Sequence, residues 1–165
     1  MTANEESIVV GLGEMQVRKG TSAVLSCIGL GSCIALCAYD PVAKVGGVAH
    51  MVLPTSGTGD KKQVSPKYVD TGVSLLFQEM SKQGAVKSRL VIKTAGGAQM
   101  LSIPGANGRL NVGKRNIAEL ELALAKEGVS AAATDVGGTR GRSVKLFLDT
   151  GKVMVRTVEG VTYEL

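Results

Sequence analysis

The only histidine and all three cysteines of this 165-residue chain fall in one stretch, from Ser26 to Pro54. A turn with two glycines, Gly29-Leu30-Gly31, precedes Cys33. Two apolar runs follow, separated by Asp40-Pro41, and the second run carries His50. A thiol beside an imidazole is the minimum apparatus for covalent catalysis by cysteine, because the imidazole takes the proton and the thiolate attacks. The stretch is therefore a candidate nucleophile site.

The two apolar runs predict a β-hairpin that brings the thiol and the imidazole together. Two such runs joined by a short polar turn are typical of a hairpin. With the turn centred between Pro41 and Ala43, Cys33 lies opposite a residue between positions 49 and 53. Directly opposed side chains lie roughly 5 Å apart and diagonal ones roughly 7–8 Å. We therefore expect Cys33 to meet His50.

Backbone N–H groups at the same turn are candidate oxyanion donors. The glycines at positions 29 and 31 allow a sharp bend just before Ser32 and Cys33. N–H groups aimed at a developing negative charge stabilise it. We therefore predict that Ser32 and Cys33 supply backbone donors to an oxyanion.

Other interpretations of these residues remain open at this point. A buried cysteine is more often a small core residue, and a lone histidine is more often structural than a base. The sequence Gly29-Leu30-Gly31-Ser32-Cys33 lacks the Lys-Ser/Thr of a P-loop and the third glycine of a dinucleotide fingerprint. On one strand, Cys33 and Cys37 would lie roughly 13 Å apart. That is too far to share a zinc ion or form a disulfide, so we expect no metal site here.

Six short motifs follow one another along the chain: G-L-G-S-C (29–33), A-H-M-V-L-P-T-S (49–56), K-Y-V-D-T (67–71), A-G-G-A-Q-M (95–100), V-G-K-R-N (112–116) and D-V-G-G-T-R-G-R-S (135–143). In type and order they resemble the chemoreceptor glutamine deamidases, the CheD family, over nearly the whole chain. In that family the cysteine of the first motif is the nucleophile and the histidine of the second is the base. The resemblance therefore implies these roles for Cys33 and His50.

One position departs from the family pattern. The pattern places a threonine six residues before the nucleophile, where it completes a catalytic trio, and this chain has Cys27 there. A thiol is a weaker hydrogen-bonding group than a hydroxyl, and on a strand the adjacent Ser26 would point to the opposite face. Three alternatives remain: Cys27 fills the role weakly, a backbone group orients His50, or catalysis is slow.

The resemblance implies a function as well as site residues. It implies a protein-glutamine glutaminase, a hydrolase that converts receptor glutamines to glutamate through a cysteine thioester in bacterial chemotaxis, without a metal or organic cofactor. The implied substrates are cytoplasmic segments of methyl-accepting chemoreceptors. CheD proteins also bind and stimulate the response-regulator phosphatase CheC. The alternative is therefore an adaptor that regulates a CheC-type phosphatase, with weak or no deamidase activity.

Composition and charge limit the class of protein and of partner. With 44% apolar and 20% charged residues, the chain reads as one globular domain over residues 1–165. It has no apolar run near the roughly 20 residues of a membrane span, no signal peptide and no disulfide framework, so we expect a cytoplasmic protein that is not membrane-inserted. The net charge of +5 favours an acidic partner. Five aromatic residues and no long basic run argue against nucleic acid. Arg140 and Arg142 remain open between solvated charge and a basic patch for a partner.

The pattern of elements predicts an α+β fold. Two helices are expected, one starting at Ser65-Pro66 and ending at Gly84, the other over 112–127, beside about ten short strands. That is too much sheet for a doubly wound fold. The resemblance sharpens the prediction to a three-layer α/β/β sandwich of mixed sheets with helices on one face. A strand is predicted over 129–134, a second hairpin around Thr150-Gly151, and loops over 55–64 and 105–108.

Overall fold

The computed structural model describes residues 6–57, 62–100 and 111–165. These ranges contain ten strands and two α-helices. In chain order the strands are β1 (Ser7–Val9), β2 (Met15–Lys19), β3 (Val24–Leu30), β4 (Ile34–Asp40), β5 (Val45–Met51), β6 (Val91–Gly96), β7 (Ala133–Val136), β8 (Arg142–Phe147), β9 (Val153–Thr157) and β10 (Thr162–Glu164). The helices are α1 (Val69–Lys82), between β5 and β6, and α2 (Val112–Lys126), between β6 and β7.

The strands form two five-stranded sheets. One, which we call the outer sheet, has the order β1-β3-β8-β9-β10, and the other, the middle sheet, has the order β2-β5-β4-β6-β7. Each sheet has one parallel pair, β1 with β3 and β6 with β7, and its other pairs are antiparallel. Both sheets are therefore mixed, as predicted. Of the two helices that the described ranges contain, neither is long and apolar enough to cross a membrane.

The middle sheet separates two apolar cores, which gives the three predicted layers. Its β4 and β5 are buried along their whole length, because one face packs on the helices and the other on the outer sheet. The helix-side core includes Ile34, Leu36, Met51, Leu76 and Met80. The core between the sheets, which we call the inter-sheet core, includes Ala35, Cys37, Val48, Leu25 and Leu146.

The predicted hairpin of β4 and β5 is confirmed, and its turn is fixed by an aspartate. The ladder runs from Ile34↔Met51 to Asp40↔Val45, so the turn occupies the residues between positions 40 and 45. The Asp40 Oδ1 accepts the N–H groups of Val42 and Ala43 at 2.9 and 3.0 Å. These bonds close the turn and set the register of every pair above it, the one that holds His50 included.

Asp40 also carries a buried ion pair. Its side chain is fully buried, and Arg89 donates to it from Nε and Nη2 at 2.9–3.1 Å. Burial acts to raise the pKa of the carboxyl group. Hydrogen bonds from Arg89 and from the N–H groups of Val86, Ala43 and Val42 outweigh it, so the pKa of Asp40 lies well below its usual range.

Some predicted boundaries were wrong. The first helix begins at Val69, not at Ser65-Pro66, because Tyr68 is extended (φ −109°, ψ 137°) and bridges to Leu53. The Ser65 Oγ accepts the Lys67 N–H, and so closes a turn instead of capping a helix. The strand predicted over 129–134 is instead β7, and β10 was not predicted. The predicted loop over 105–108 lies outside the described residues, as does part of the loop over 55–64.

Candidate active site

Cys33 and His50 lie on the same face of the middle sheet, the face that meets the outer sheet. Ala35 pairs directly with His50, so Cys33, one residue before β4, is the diagonal neighbour of His50. Side chains two residues apart on a strand share a face. Ala35 and Cys37 belong to the inter-sheet core, and Cys33 packs against its edge. The register therefore brings the two predicted residues within diagonal reach, roughly 7–8 Å between backbones.

His50 is held in one tautomer by a backbone group. Its side chain is 3% exposed, and its Nδ1 lies 2.9 Å from the carbonyl oxygen of Val10. A carbonyl can only accept, so Nδ1 carries the proton and Nε2 keeps its lone pair. Among the described residues, Nε2 is buried and has no hydrogen-bond partner. The imidazole is thus arranged to accept a proton at Nε2.

Val10 is itself fixed by the outer sheet. Its N–H donates to the Ser26 carbonyl on β3 at 2.7 Å, just beyond the β1 pairing. The backbone of His50 bonds to the β1–β2 connection, with its N–H on the Glu14 carbonyl and its carbonyl on the Gly13 N–H, both at 2.9 Å. The segment from Val10 to Glu14 therefore joins the imidazole to both sheets.

The three thiols differ in exposure and in acidity. Cys33 is half-buried, whereas Cys27 and Cys37 are buried, and all three are free. Burial raises the pKa of Cys33, against a smaller lowering by its own N–H, and raises the pKa of Cys37 to about 12. Burial, followed by the proximity of Cys37 and Cys33, raises the pKa of Cys27. Near neutral pH Cys33 is therefore a thiol that needs a base, and it is the accessible one of the three.

Cys27 lies in the inter-sheet core, opposite Val144 of β8, and is fully buried. Its thiol makes no hydrogen bond to any residue that the structure describes. The group that bonds the imidazole of His50 is the Val10 carbonyl, which corresponds to the backbone alternative left open by the sequence. A catalytic part for Cys27 remains a prediction.

The turn before Cys33 is anchored through three consecutive carbonyl groups. The bonds are Ala98 N–H to Gly31 O at 2.9 Å, Asn116 Nδ2 to Ser32 O at 2.9 Å, and Gly97 N–H to Cys33 O at 2.8 Å. In a trans peptide the N–H points opposite to the carbonyl. The N–H groups of Ser32 and Cys33 therefore point away from these anchors, and the Cys33 N–H lies close enough to its own thiol to lower the pKa of that thiol. Both N–H groups lie on the side of the turn away from the anchors, and their oxyanion role remains a prediction.

Gly96 permits one of these anchors. Its φ is +110°, and a Cβ built there would overlap the Cys33 carbonyl oxygen. Only glycine allows the backbone of β6 to come this close to Cys33. Sequence reasoning missed Val10, Asn116 and the role of Gly96. Two of them lie in the quoted motifs A-G-G-A-Q-M and V-G-K-R-N, but no spacing rule connects these motifs to Cys33.

A groove opens beside this turn. Its volume is about 450 Å³, and Gly29, Gly31 and Gly141 lie along it with Met100, Arg156 and Val158. The groove reaches Gly31, two residues from the nucleophile candidate. Glycines leave backbone open to an approaching chain. The groove therefore lies beside the turn that carries Cys33, although Cys33 itself does not line it.

The two arginines left open by the sequence are both paired. Arg142, whose side chain is 10% exposed, donates to the Asp135 carbonyl and carboxylate at 2.7 and 3.0 Å. Arg140 forms an ion pair with Glu159. Arg142 is therefore neither solvated nor available to a partner, and the positive charge of Arg140 is balanced by its neighbour.

Comparison with known proteins finds a family model and relatives that carry the same family name. A family model described as CheD chemotactic sensory transduction matches residues 52–157. The chain is 45% identical over 157 residues to the "Probable chemoreceptor glutamine deamidase CheD" of Symbiobacterium thermophilum, covering 94% of this chain and 95% of that protein. It is 44% identical over 152 residues to the "Chemoreceptor glutamine deamidase CheD" of Thermotoga maritima, covering 92% of each. Because the alignment with the Symbiobacterium thermophilum protein covers 94% of this chain, it includes both Cys33 and His50.

Proposed function

We propose, since this chain belongs to the CheD family, that it is a chemoreceptor glutamine deamidase, which hydrolyses glutamine side chains of chemoreceptors to glutamate in chemotaxis. One observation carries the assignment of the reaction to this site: Cys33 shares a face of the middle sheet with His50, whose Nε2 has no hydrogen-bond partner among the described residues. A half-buried thiol and a tautomerically fixed imidazole are the groups that hydrolysis of an amide through a thioester requires.

The first half of the reaction forms the thioester. The Nε2 of His50 takes the Cys33 proton, and the thiolate sulfur attacks the carboxamide carbon of the glutamine. The carbonyl oxygen becomes an oxyanion, which the N–H groups of Ser32 and Cys33 stabilise. The C–N bond then breaks, the imidazolium returns its proton to the leaving nitrogen, and ammonia departs.

The second half releases glutamate. Water enters where ammonia left, and Nε2 removes its proton as the oxygen attacks the thioester carbon. A second oxyanion forms at the same donors and collapses with cleavage of the C–S bond. The thiolate recovers a proton from His50, and the former glutamine leaves as a carboxylic acid. Throughout, the Nδ1–H bond to Val10 holds the ring and stabilises its charged form.

The proposed substrates are cytoplasmic receptor segments, and the protein is proposed to act in the cytoplasm. The net charge of +5 favours segments rich in acidic side chains. The glycine-lined groove beside Gly31 supports access by a polypeptide. We propose that the Val10 carbonyl orients the imidazole of His50. A contribution of Cys27 to catalysis remains to be measured.

A second function is favoured by one observation, the presence of Cys27 where the family pattern has threonine. If deamidation is weak, the protein acts mainly as an adaptor that binds a CheC-type phosphatase. The two functions separate in Cys33→Ala, which removes the nucleophile and changes one small, half-buried side chain.

The test is incubation of the purified protein with a cytoplasmic chemoreceptor fragment, followed by peptide mass spectrometry. Conversion of specific glutamines to glutamate supports the deamidase. Binding and stimulation of a CheC-type phosphatase, with no conversion of any glutamine, supports the adaptor instead.

A further inference from the structure

A buried amide on α2 holds the chain on both sides of the candidate site. Asn116 is fully buried, and its Nδ2 donates to the Ser32 carbonyl at 2.9 Å and to the Val52 carbonyl at 3.0 Å. A side-chain amide has two N–H protons, and both are used here. Ser32 directly precedes Cys33, and Val52 follows His50 by two residues.

The bridge lies where the hairpin ladder ends. The last pair of the β4–β5 ladder is Ile34↔Met51, and the N–H of Val52 donates instead to the Lys67 carbonyl at 2.7 Å. Beyond that pair the two strands have no backbone bond to each other in the described ranges. The Asn116 amide connects the two strands just beyond the last ladder pair. It therefore joins the segment that leads into Cys33 to the segment that follows His50.

The position of α2 makes this contact specific. Gly113 lies one turn before Asn116, and a Cβ built there would overlap the carbonyl oxygens of Gly97 and Ala98. Positions three apart on a helix face the same way. The helix therefore packs against the segment whose N–H groups anchor Gly31 and Cys33. The Asn116 amide therefore bonds the Ser32 carbonyl from a helix that packs against Gly97 and Ala98, the two residues that bond the neighbouring carbonyls.

We infer that Asn116 is a positioning residue for deamidation, which fixes the Ser32–Cys33 peptide so that the Cys33 N–H faces the developing oxyanion. The inference rests on the proposed function and adds to it a residue that touches no substrate. Since the Ser32 carbonyl is tied to Asn116, the trans peptide directs the Cys33 N–H to the opposite side. A misplacement of about 1 Å at such a group costs on the order of 100-fold in rate.

The test compares Asn116→Asp and Asn116→Ala with Leu120→Ala in the full-length protein. An ionised aspartate has the shape of asparagine but donates to neither carbonyl. We expect kcat for a receptor fragment to fall on the order of 100-fold in both Asn116 variants, as for loss of an oxyanion donor, with KM nearly unchanged. Alkylation of Cys33 by iodoacetamide passes through no oxyanion and should keep the parent rate in Asn116→Ala, which adds no charge beside the thiol.

Leu120→Ala is the matched control, because Leu120 is buried on the same helix in the helix-side core. It should lower Tm at least as much as the Asn116 variants and retain kcat per folded molecule. Parent-like kcat in folded Asn116→Asp, or an equal loss of kcat in Leu120→Ala, overturns the positioning role and leaves the proposed function standing. Absence of deamidation by the parent overturns the proposed function and this inference with it.

Discussion

The Nδ1 of His50 donates a hydrogen bond 2.9 Å long to the carbonyl oxygen of Val10. The imidazole is thus oriented by a backbone group from the connection that follows β1. A backbone acceptor fixes the tautomer regardless of which side chain occupies position 27. This contact explains how a chain with cysteine at that position retains an oriented imidazole, whose Nε2 has no hydrogen-bond partner in the part of the chain that the structure describes.

The first prediction concerns His50→Ala, which should lose nearly all deamidase activity. Burial raises the pKa of Cys33, and without His50 no base is present to accept the proton of the thiol. The pH midpoint of Cys33 alkylation by iodoacetamide should therefore move above the ordinary thiol value of about 8.5. The measurement is alkylation rate against pH, with Cys33→Ala as the control for labelling elsewhere. The same midpoint in parent and variant would mean that His50 does not activate the thiol.

The second prediction concerns Cys27→Thr. The family pattern predicts that a threonine hydroxyl would bond the imidazole and raise the rate by up to about tenfold. Because the Val10 carbonyl already accepts from Nδ1, we expect a folded variant whose rate stays within about threefold of the parent. The measurement is the deamidation rate and the Tm of Cys27→Thr beside those of the parent. A tenfold gain would return the orienting role to the side chain at position 27.

The third prediction concerns Gly96→Ala, with Gly128→Ala as its control. Both glycines have positive φ, +110° and +71°, but a Cβ at Gly96 would overlap the Cys33 carbonyl, whereas one at Gly128 meets nothing within 4 Å. Gly128→Ala should cost about 1–2 kcal/mol of stability and retain activity. Gly96→Ala should cost more and abolish deamidation. Urea unfolding and rate measurements test the pair, and an active Gly96→Ala would show that the Cys33 anchor is dispensable.

The fourth prediction concerns the pH dependence of stability in Asp40→Asn. The folded-state pKa of Asp40 lies below its unfolded value of about 3.9, so its contribution is complete above that value and declines as pH falls further. We expect the variant to lose about 2 kcal/mol or more near pH 7, because the Arg89 partner and three N–H groups lose their carboxylate. The difference should narrow below about pH 4. A difference independent of pH would contradict the depressed pKa.

Much of the candidate site was predictable because it depends on short-range pattern. The Asp40-Pro41 turn fixes the hairpin, and a period of two along its strands puts Cys33 and His50 on one face. The α+β class followed from the count of helices and strands, and the three-layer arrangement followed from the resemblance to the CheD family.

The partners of these residues were not predictable, since they depend on long-range packing. Val10 reaches His50 across 40 residues of sequence, and Asn116 reaches Ser32 across 84. The predicted start of α1 was wrong for the same reason. The bridge between Tyr68 and Leu53 holds the chain extended where the local sequence favours a helix. At the start of α1, a tertiary contact overrode local propensity.

Whether Cys33 performs the deamidation is tested by comparing the parent protein and Cys33→Ala on a chemoreceptor fragment by mass spectrometry. Cys33 is half-buried at the edge of the inter-sheet core, so its truncation should leave Tm within a few degrees of the parent. We expect glutamate at specific glutamine positions with the parent and unconverted glutamine with folded Cys33→Ala. Conversion at the parent rate by folded Cys33→Ala would contradict this expectation.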